Sequence, residues 1–147
     1  MNKNPLKLAI TIPAYNEEAT IGSVIREIPR KIDGIDKVEV IVINDGSRDR
    51  TVEVATEAGA DHIVQFPNNK GLAIAFKEGL NAAIESGSDI IVNIDADGQY
   101  NALQIPELIA PILDGKAEIV LGSRFLGRIE HMVPQKKWFI CLCGNGY

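Results

Sequence analysis

Short apolar runs that alternate with stretches of helical periodicity are the feature that most constrains the fold of this chain. The runs are rich in β-branched residues and end abruptly, as buried parallel strands do. They cover Lys7–Ile12, Val38–Ile43, Asp61–Phe66, Asp89–Ile94 and Glu118–Leu121. The intervening patterns predict helices at Ile21–Ile28, Thr51–Ala58, Leu72–Glu85 and Ile105–Leu113. We therefore expect an α/β fold with a mostly parallel sheet flanked by helices.

Two of the predicted helices carry more specific expectations. The periodicity of the third helix predicts a buried face made of Leu72, Ala75, Phe76, Leu80 and Ala83. The fourth is expected to be irregular, because Pro111 removes an internal hydrogen bond.

The charge of the chain limits its partners. A formal net charge of -5 provides no overall attraction to nucleic acid, so no nucleic-acid partner is expected. The sequence begins without a signal-peptide pattern and contains no run of roughly 18 apolar residues. We expect a cytoplasmic protein whose phosphate ligands, if any, need local help from a metal or an arginine.

Polar clusters follow three of the predicted strands, where open parallel sheets bind ligands beyond the strands' carboxyl ends. Pro13–Glu18 follows the first strand, Asn44–Ser47 the second and Asp95–Gln99 the fourth. The first cluster also fits acids in a first helical turn capped by Asn16. The second also fits an ordinary Asx-Gly turn. Neither of these two is decisive by itself.

The third cluster indicates a metal site. Two carboxylates that leave a buried strand together are costly to ionise unless a cation or water intervenes. If the chain stays extended, Asp95, Asp97 and Gln99 alternate onto one face. Two carboxylates and an amide oxygen suit Mg²⁺ or Mn²⁺. A solvated turn with two acids is the alternative.

Glycine-rich phosphate loops offer no other explanation. The chain has neither G-x-G-x-x-G after the first strand nor G-x-x-x-x-G-K-[ST] anywhere. A phosphate would then be held by the metal and by an arginine. Arg124, at the end of the fifth predicted strand, supplies one.

Jointly and in this order, the motifs resemble those of the family 2 glycosyltransferases of GT-A fold, in the branch of dolichol-phosphate or polyprenyl-phosphate mannosyltransferases. The resemblance covers about residues 7–127. It rests on Ile12–Glu18, Asn44–Ser47 with Asp49 and Thr51, Asn69 and Gly71, Asp95–Gln99, and Gly122–Phe125. It implies a nucleotide-sugar-binding GT-A (Rossmann-like) domain over residues 1–127, with the C-terminal part of the fold missing or atypical.

The resemblance also implies residue roles. The residues implied to bind the nucleotide are Pro13, Ala14, Tyr15, Glu17, Ile43, Asp45, Asp95, Ala96, Asp97 and Arg124. Ile43 and Asp45 would contact the base, and Arg124 the diphosphate. Asp95, Asp97 and Gln99 would bind a Mg²⁺ or Mn²⁺ ion that bridges the phosphates. Asp97 and Arg124 are the candidate catalytic residues, acting electrostatically, and no general base is identified.

The implied reaction moves a sugar from a nucleoside-diphosphate sugar, such as GDP-mannose or a UDP-sugar, to an acceptor, with inversion. Polyprenyl or dolichyl phosphate is the acceptor that this branch implies. A non-catalytic or incomplete nucleotide-sugar-binding fragment is an alternative, because family members normally continue further. A sugar-nucleotide nucleotidyltransferase is a third, but it is expected to carry a glycine-rich loop with an arginine after the first strand.

Residues 128–147 form a tail that the pattern leaves unassigned. Lys136, Lys137 and Trp138 precede an apolar segment that ends at Cys143. Basic and aromatic residues of this kind fit a peripheral contact with the cytoplasmic face of a membrane. A packed C-terminal helix or a frayed tail fits equally well.

Overall fold

A computed structural model describes residues 5–122 and the backbone of residues 139–143. The expected alternation of strands and helices is confirmed. The strands are β1 (Lys7–Ala14), β2 (Lys37–Asn44), β3 (His62–Gln65), β4 (Ile90–Asn93), β5 (Ile119–Gly122) and β6 (Phe139–Cys143). The helices are α1 (Ile21–Glu27), α2 (Thr51–Glu57), α3 (Leu72–Glu85) and α4 (Ile105–Leu113), the last preceded by a 3₁₀ turn at Ala102–Gln104.

The strands form one sheet in the order β3-β2-β1-β4-β6-β5. β1 pairs in parallel with β2 and β4, and β2 pairs in parallel with β3. β6 lies antiparallel between β4 and β5, so β5 runs in the same direction as β4. The expected mostly parallel sheet is thus confirmed. The alternative of a C-terminal helix before Cys143 is wrong. The backbone of Phe139–Cys143 instead forms the strand β6, which pairs with β4 on one side and β5 on the other.

Alternate residues of the central strands face two different layers, as the period of a strand dictates. On one face Leu8, Ile10 and Ile12 of β1 are fully buried against a core that α1, α2 and α4 complete. On the other face Ala9 of β1 and Ile41 of β2 pack in a smaller core beneath α3. The sheet is therefore covered by helices on both sides.

Gly79 lets α3 lie close to the sheet. A Cβ atom at this position would come within 2.9 Å of Ile43 Cδ1 and 3.3 Å of Thr11 Cβ. A larger residue here would require the side chains of Ile43 and Thr11 to shift. The close approach places the first turns of α3 beside the carboxyl ends of β1 and β2.

Aspartates fix the register of the strands at their amino ends. Each one precedes a strand and exchanges two hydrogen bonds with one residue in, or directly before, the neighbouring strand. Its carboxylate accepts the backbone N–H of that residue, and its own N–H donates to the carbonyl of the same residue. Distances lie between 2.7 and 2.9 Å for the pairs Asp36–Leu6, Asp89–Lys7 and Asp61–Val40. Backbone groups at this edge thereby have hydrogen-bond partners.

Glu39 forms a buried ion cluster at the same amino edge. Its side chain is only 5% exposed and lies 2.8 Å from Lys7 Nζ and 2.6 Å from Lys37 Nζ. Burial acts to raise the pKa of the Glu39 carboxyl, but the hydrogen bonds and charges of the two lysines outweigh burial and lower it. The cluster joins β1 to β2 at the end of the sheet opposite the polar clusters.

Helix α4 differs from expectation. α4 continues through Pro111 to Leu113, so the expected irregularity does not interrupt it. The carbonyl of Pro111 still accepts hydrogen bonds from the N–H groups of Lys116 and Ala117, at 2.8 and 3.1 Å. In the part of the chain that the structure describes, no helix is both long enough and apolar enough to cross a membrane.

Candidate functional site

A cleft of about 920 Å³ opens at the carboxyl edge of the sheet, beyond β1, β2 and β4. Its place follows from the two-layer packing. The row of side chains that faces α3 ends beneath the helix at Thr11 and Ile43. Pro13 lies two residues after Thr11 in β1. Asp45 and Asp95 follow directly after the ends of β2 and β4, and all three residues line the cleft. Parallel strands with the same face exposed therefore bring the three sequence motifs together.

The cleft gathers eight of the ten residues that the sequence predicts to bind nucleotide. They are Pro13, Ala14, Tyr15, Glu17, Asp45, Asp95, Ala96 and Asp97. Arg124 lies outside the described residues. Further lining comes from Asn69, Gly71, Leu72, Ala73, Ala75, Phe76, Asn93 and Tyr100.

The loop after β1 is held by the loop after β2. Asn16 adopts a left-handed conformation, with φ of 54°. Its backbone N–H donates to Ser47 Oγ at 2.9 Å, and its side-chain oxygen accepts from the N–H of Arg48 at 2.8 Å. The N–H of Glu17 donates to Thr51 Oγ1 at 2.8 Å. These bonds support Tyr15 and Glu17 where they line the cleft.

Glu18 and Asp49 extend the same network. Asp49 accepts from the N–H of Glu18 at 3.1 Å, from the N–H of Thr51 at 3.0 Å and from the Thr51 hydroxyl. Glu18 in turn accepts from the N–H of Arg50 at 2.9 Å. Desolvation acts to raise the pKa of the Asp49 carboxyl, but these hydrogen bonds outweigh it and the pKa is lowered.

The network changes how the first motif is interpreted. α1 begins at Ile21, with Thr20 as its N-cap residue, and no acid lies in its first turn. The view of Glu17 and Glu18 as first-turn acids capped by Asn16 is therefore wrong. They belong to the loop before α1, and their N–H groups donate to Thr51 and Asp49 after the second strand.

The loop between β3 and α3 is tied to the second motif. Asp45 is 4% exposed, and its two oxygens accept hydrogen bonds from the N–H groups of Lys70 at 2.7 Å and Gly71 at 2.9 Å. Beside it Gly46 has φ of 73°, and a Cβ there would lie 2.5 Å from the Asn68 carbonyl carbon. Asn44-Asp45-Gly46 is thus more than a turn, because it contacts another loop closely.

The acidic motif after β4 does not stay extended. The chain turns at Ala96-Asp97, and Gly98 has φ of 72°. One oxygen of Asp97 accepts from the N–H of Gln99 at 3.1 Å. Asp95 and Asp97 line the cleft, whereas Gln99 is exposed and does not. The expected alternation of three ligands onto one face is wrong, because the turn carries Gln99 away.

Asp95 and Asp97 remain as the candidate metal ligands of this motif. Over residues 5–122 no group of three or more His, Cys, Asp or Glu side chains could hold a metal ion. Asp95 and Asp97 alone would bind a cation by two carboxylates, with other oxygens from ligand or water. Mg²⁺ is usually held in this way, by one or two carboxylates together with substrate phosphates.

Ile43 does not lie where its implied role requires. Its side chain is 0% exposed and packs beneath Gly79 of α3. A side-chain contact between Ile43 and a base is therefore wrong. The position is two residues short of the cleft along β2, and α3 covers it.

Leu72, in contrast, is more exposed than its sequence pattern predicts. The helical pattern predicts that it is buried, yet Leu72 is 65% exposed and lines the cleft with Ala73 and Phe76. The first turn of α3 extends beyond the covered part of the sheet. Together with Tyr15, which is 44% exposed, these side chains give the cleft an apolar rim.

Asn93 is a cleft residue that sequence reasoning missed. The buried hydroxyl of Thr11 donates a hydrogen bond of 3.1 Å to its side-chain oxygen, which orients the amide. An asparagine inside the apolar run before Asp95 was the available signal, because a polar residue on the buried face of a strand needs a partner.

The strand order and the carboxylate-lined cleft at the carboxyl edge define an α/β domain of GT-A type. Residues 9–139 match the family described as glycosyl transferase family 2, and the chain belongs to that family.

Curated relatives include lipid-phosphate glycosyltransferases. A dolichol-phosphate mannosyltransferase of Pyrococcus furiosus is 32% identical over 131 residues, which covers 86% of this chain and 36% of that protein. A UDP-N-acetylglucosamine–dolichyl-phosphate N-acetylglucosaminyltransferase of Methanococcus voltae is also 32% identical, over 78% of this chain and 51% of that protein. The chain thus spans about half or less of the length of these relatives.

Solved structures agree in fold. Glucosyl-3-phosphoglycerate synthase of Mycobacterium tuberculosis, in complex with Mn²⁺, UDP-glucose and phosphoglyceric acid, superposes with a TM-score of 0.63 at 33% identity. The match covers 79% of this chain and 42% of that one.

Proposed function

We propose that this chain is the donor-binding domain of a glycosyltransferase that moves a sugar from a nucleoside-diphosphate sugar to a phosphate-bearing acceptor, with inversion. One observation carries the proposal: the acids Asp95 and Asp97 line a single cleft in a family 2 chain together with Pro13, Ala14, Tyr15 and Glu17. The chain spans about half or less of the length of its relatives. The transfer reaction is therefore proposed for the donor-binding domain acting together with an acceptor-binding site.

The cleft offers different surfaces to the parts of a donor. The exposed ring of Tyr15 and the apolar side chains of Leu72 and Phe76 suit the flat faces of a base and ribose. The Glu17 carboxylate, which accepts from the Thr20 hydroxyl at 2.9 Å, can accept from ribose hydroxyls as well. The diphosphate would then extend toward Asp95 and Asp97.

Asp95 and Asp97 fit a divalent cation. Both are hard oxygen ligands, and the turn at Ala96 brings them into the same cleft. Bound there, Mg²⁺ or Mn²⁺ would act as a Lewis acid on the diphosphate. The Mycobacterium tuberculosis synthase, whose structures contain Mn²⁺ with UDP, supports this assignment.

The role of the chain's own residues in the reaction is electrostatic. As the bond between the anomeric carbon and the phosphate oxygen breaks, its electron pair passes to the diphosphate, and the acceptor oxygen bonds to the opposite face of that carbon. Asp97, positioned by the Gln99 N–H, would keep the diphosphate in place through the cation. Arg124, which lies outside the described residues, is proposed as a second diphosphate contact.

A lipid phosphate is the proposed acceptor. Relatives named as dolichyl- and undecaprenyl-phosphate transferases support it. A phosphate with a second pKa near 6 is largely ionised at neutral pH, so little general-base help is needed. Such an acceptor would bring the protein to a membrane surface. Lys136, Lys137 and Trp138, outside the described residues, are the proposed peripheral contact.

The test is direct. Thermal unfolding with Mn²⁺ and UDP, GDP or their sugars should show metal-dependent stabilisation by at least one nucleotide, because a ligand of the native state raises the melting temperature. Incubation with labelled donors and polyprenyl phosphate should then give labelled lipid. Stabilisation without transfer would favour the alternative of a non-catalytic or incomplete nucleotide-sugar-binding fragment. Absence of both responses contradicts the proposal.

A further inference from the structure

Asn93 is the polar residue of the apolar strand β4, and it lines the cleft two residues before Asp95. The fully buried hydroxyl of Thr11 donates to the side-chain oxygen of Asn93 at 3.1 Å. A second acceptor near this hydroxyl, the carbonyl of Val92, is more distant at 3.5 Å. The shorter bond turns the oxygen of the Asn93 amide toward β1 and leaves its NH₂ group on the side of the cleft.

The NH₂ group of Asn93 is available to a ligand. No residue that the structure describes accepts a hydrogen bond from it. Polar groups of a half-buried side chain normally have a partner, so this donor indicates a ligand that brings an oxygen. An amide is a neutral donor, which suits a neutral hydroxyl oxygen, whereas phosphates are bound most strongly by charged donors such as arginine.

Asn93 lies away from the end of the cleft at which the family resemblance places the base. Asp45 follows β2, and β1 separates β2 from β4, so the two residues are two strand spacings apart, roughly 9–10 Å. Along the strands, Asn44 is level with Ala14 of β1. Asn93 is level with Thr11, three residues nearer the amino end, which adds roughly 10 Å. The cleft thus has a second polar group well separated from Asp45.

The sugar is the part of a donor that remains for this position. In the proposed function Glu17 faces the ribose, and Asp95 and Asp97 hold the diphosphate through a cation. Asn93 and Asp95 are two residues apart, about 7 Å along an extended chain, and both line the cleft. A sugar that is attached to the diphosphate and folds back against β4 therefore meets the NH₂ group of Asn93.

We propose that Asn93 is a specificity-determining residue: its NH₂ group donates a hydrogen bond to a hydroxyl oxygen of the sugar that is transferred. Thr11 is a positioning residue, because it acts through the Asn93 amide, which its hydroxyl orients. Asn93 then recognises the sugar and not the nucleotide. This inference rests on the proposed function, since it requires a nucleoside-diphosphate sugar in the cleft.

Paired calorimetric titrations separate the sugar from the rest of the donor. Asn93→Leu keeps the volume of the side chain and removes the donor. With Mn²⁺ present, it should bind UDP-glucose or GDP-mannose about tenfold more weakly than the native protein does. Its affinities for UDP and GDP should stay within about twofold of the native values. Asn81→Leu, at an exposed asparagine of α3 that does not line the cleft, is the matched control and should bind all four ligands as the native protein does.

Thr11→Val tests the orienting bond. Valine keeps the shape of threonine and removes the hydroxyl, so the Asn93 amide is no longer held in one direction. We expect a loss of about threefold in affinity for the nucleotide sugar and none for the nucleoside diphosphate. In the Asn93→Leu background Thr11→Val should cause no further loss, because the two residues act as a unit. A loss that persists in the double variant would contradict the positioning role.

The outcomes distinguish this inference from the proposed function. Equal losses for nucleoside diphosphate and nucleotide sugar in Asn93→Leu would indicate a contact with the base or the phosphates, and unchanged affinities would indicate no contact. Either result overturns the sugar contact while the proposed function stands. A native protein that binds none of the four ligands contradicts both.

NMR of the native protein decides the question if Asn93→Leu does not fold. The side-chain NH₂ signals of Asn93 should move further when UDP-glucose replaces UDP, or when GDP-mannose replaces GDP. Identical signals with the nucleotide and with its sugar would overturn the proposal.

Discussion

The hydroxyl of Thr51 accepts a hydrogen bond of 2.8 Å from the backbone N–H of Glu17, which lies 34 residues earlier in the chain. Thr51 is fully buried at the start of α2, and its hydroxyl also donates to Asp49. The two loops that flank the cleft are therefore one hydrogen-bonded unit. Asp49 and Thr51 do not line the cleft. Thr51 instead supports Glu17, which does, and Asp49 supports Thr51.

Thr51→Val should test this support, because valine keeps the shape and removes the acceptor. We expect a loss of about 1–3 kcal/mol in the free energy of unfolding, since the N–H of Glu17 is left without its partner. Urea denaturation measures the loss. Thr56→Val, at an exposed threonine of the same helix, is the control and should change stability by no more than about 0.5 kcal/mol. Equal stability of the two variants would show that the contact contributes nothing.

Asp97→Ala should abolish metal-dependent nucleotide binding and leave the fold intact. Turnover, where it is detected, should fall by at least about 100-fold, as it does when one group that stabilises transition-state charge is removed. Calorimetric titration of UDP or GDP with and without Mn²⁺ gives the binding result. Asp114→Ala, at an exposed acid far along the chain, should behave as the native protein does. Unchanged metal affinity in Asp97→Ala contradicts the assignment.

Gly46→Ala should separate contact from backbone strain. Gly46 and Gly115 both have positive φ, 73° and 69°, but a Cβ at Gly115 meets nothing within 4 Å. Gly115→Ala should cost about 1 kcal/mol from the left-handed conformation alone. Gly46→Ala should cost about 1–3 kcal/mol more, because the new methyl group overlaps the Asn68 backbone. Thermal unfolding of both proteins checks the difference, and equal losses would remove the case for a tight loop contact.

Glu39→Gln should destabilise the amino edge of the sheet. The amide cannot pair with Lys7 and Lys37 as a carboxylate does, so we expect a loss on the order of 2 kcal/mol in the free energy of unfolding. Glu53→Gln breaks an exposed ion pair with Arg50 and should have no measurable effect. Denaturation at pH 7 compares the two, and a Glu39→Gln protein of native stability would contradict the role of the cluster.

The same carboxyl makes stability depend on pH. Its pKa is lower in the folded protein than the ordinary value of 4.5, so the folded state binds fewer protons than the unfolded chain in acid. The stabilisation is complete above pH 4.5 and is lost as the pH falls through the lower folded value. Asp49, whose pKa is also lowered, acts in the same direction. Melting temperatures between pH 7 and 3 should fall less steeply in Glu39→Gln than in the native protein.

The sequence by itself determined the layers and the edge at which the motifs meet. Periods of two and of 3.6 residues show which side chains face a core, and they are local properties of the chain. Parallel strands then require that Pro13, Asp45 and Asp95 lie at one edge. These features of the fold and of the cleft could be read before any contact was known.

Only the tertiary structure decided which partner each polar group takes. The hydrogen bonds of Asp45, the exposure of Leu72 and the pairing of the strand β6 each depend on groups far away in sequence. Periodicity predicts a face but not what covers it. A backbone N–H such as that of Lys70 becomes a partner for Asp45 only after two loops have packed together, and that packing is the property of the whole fold.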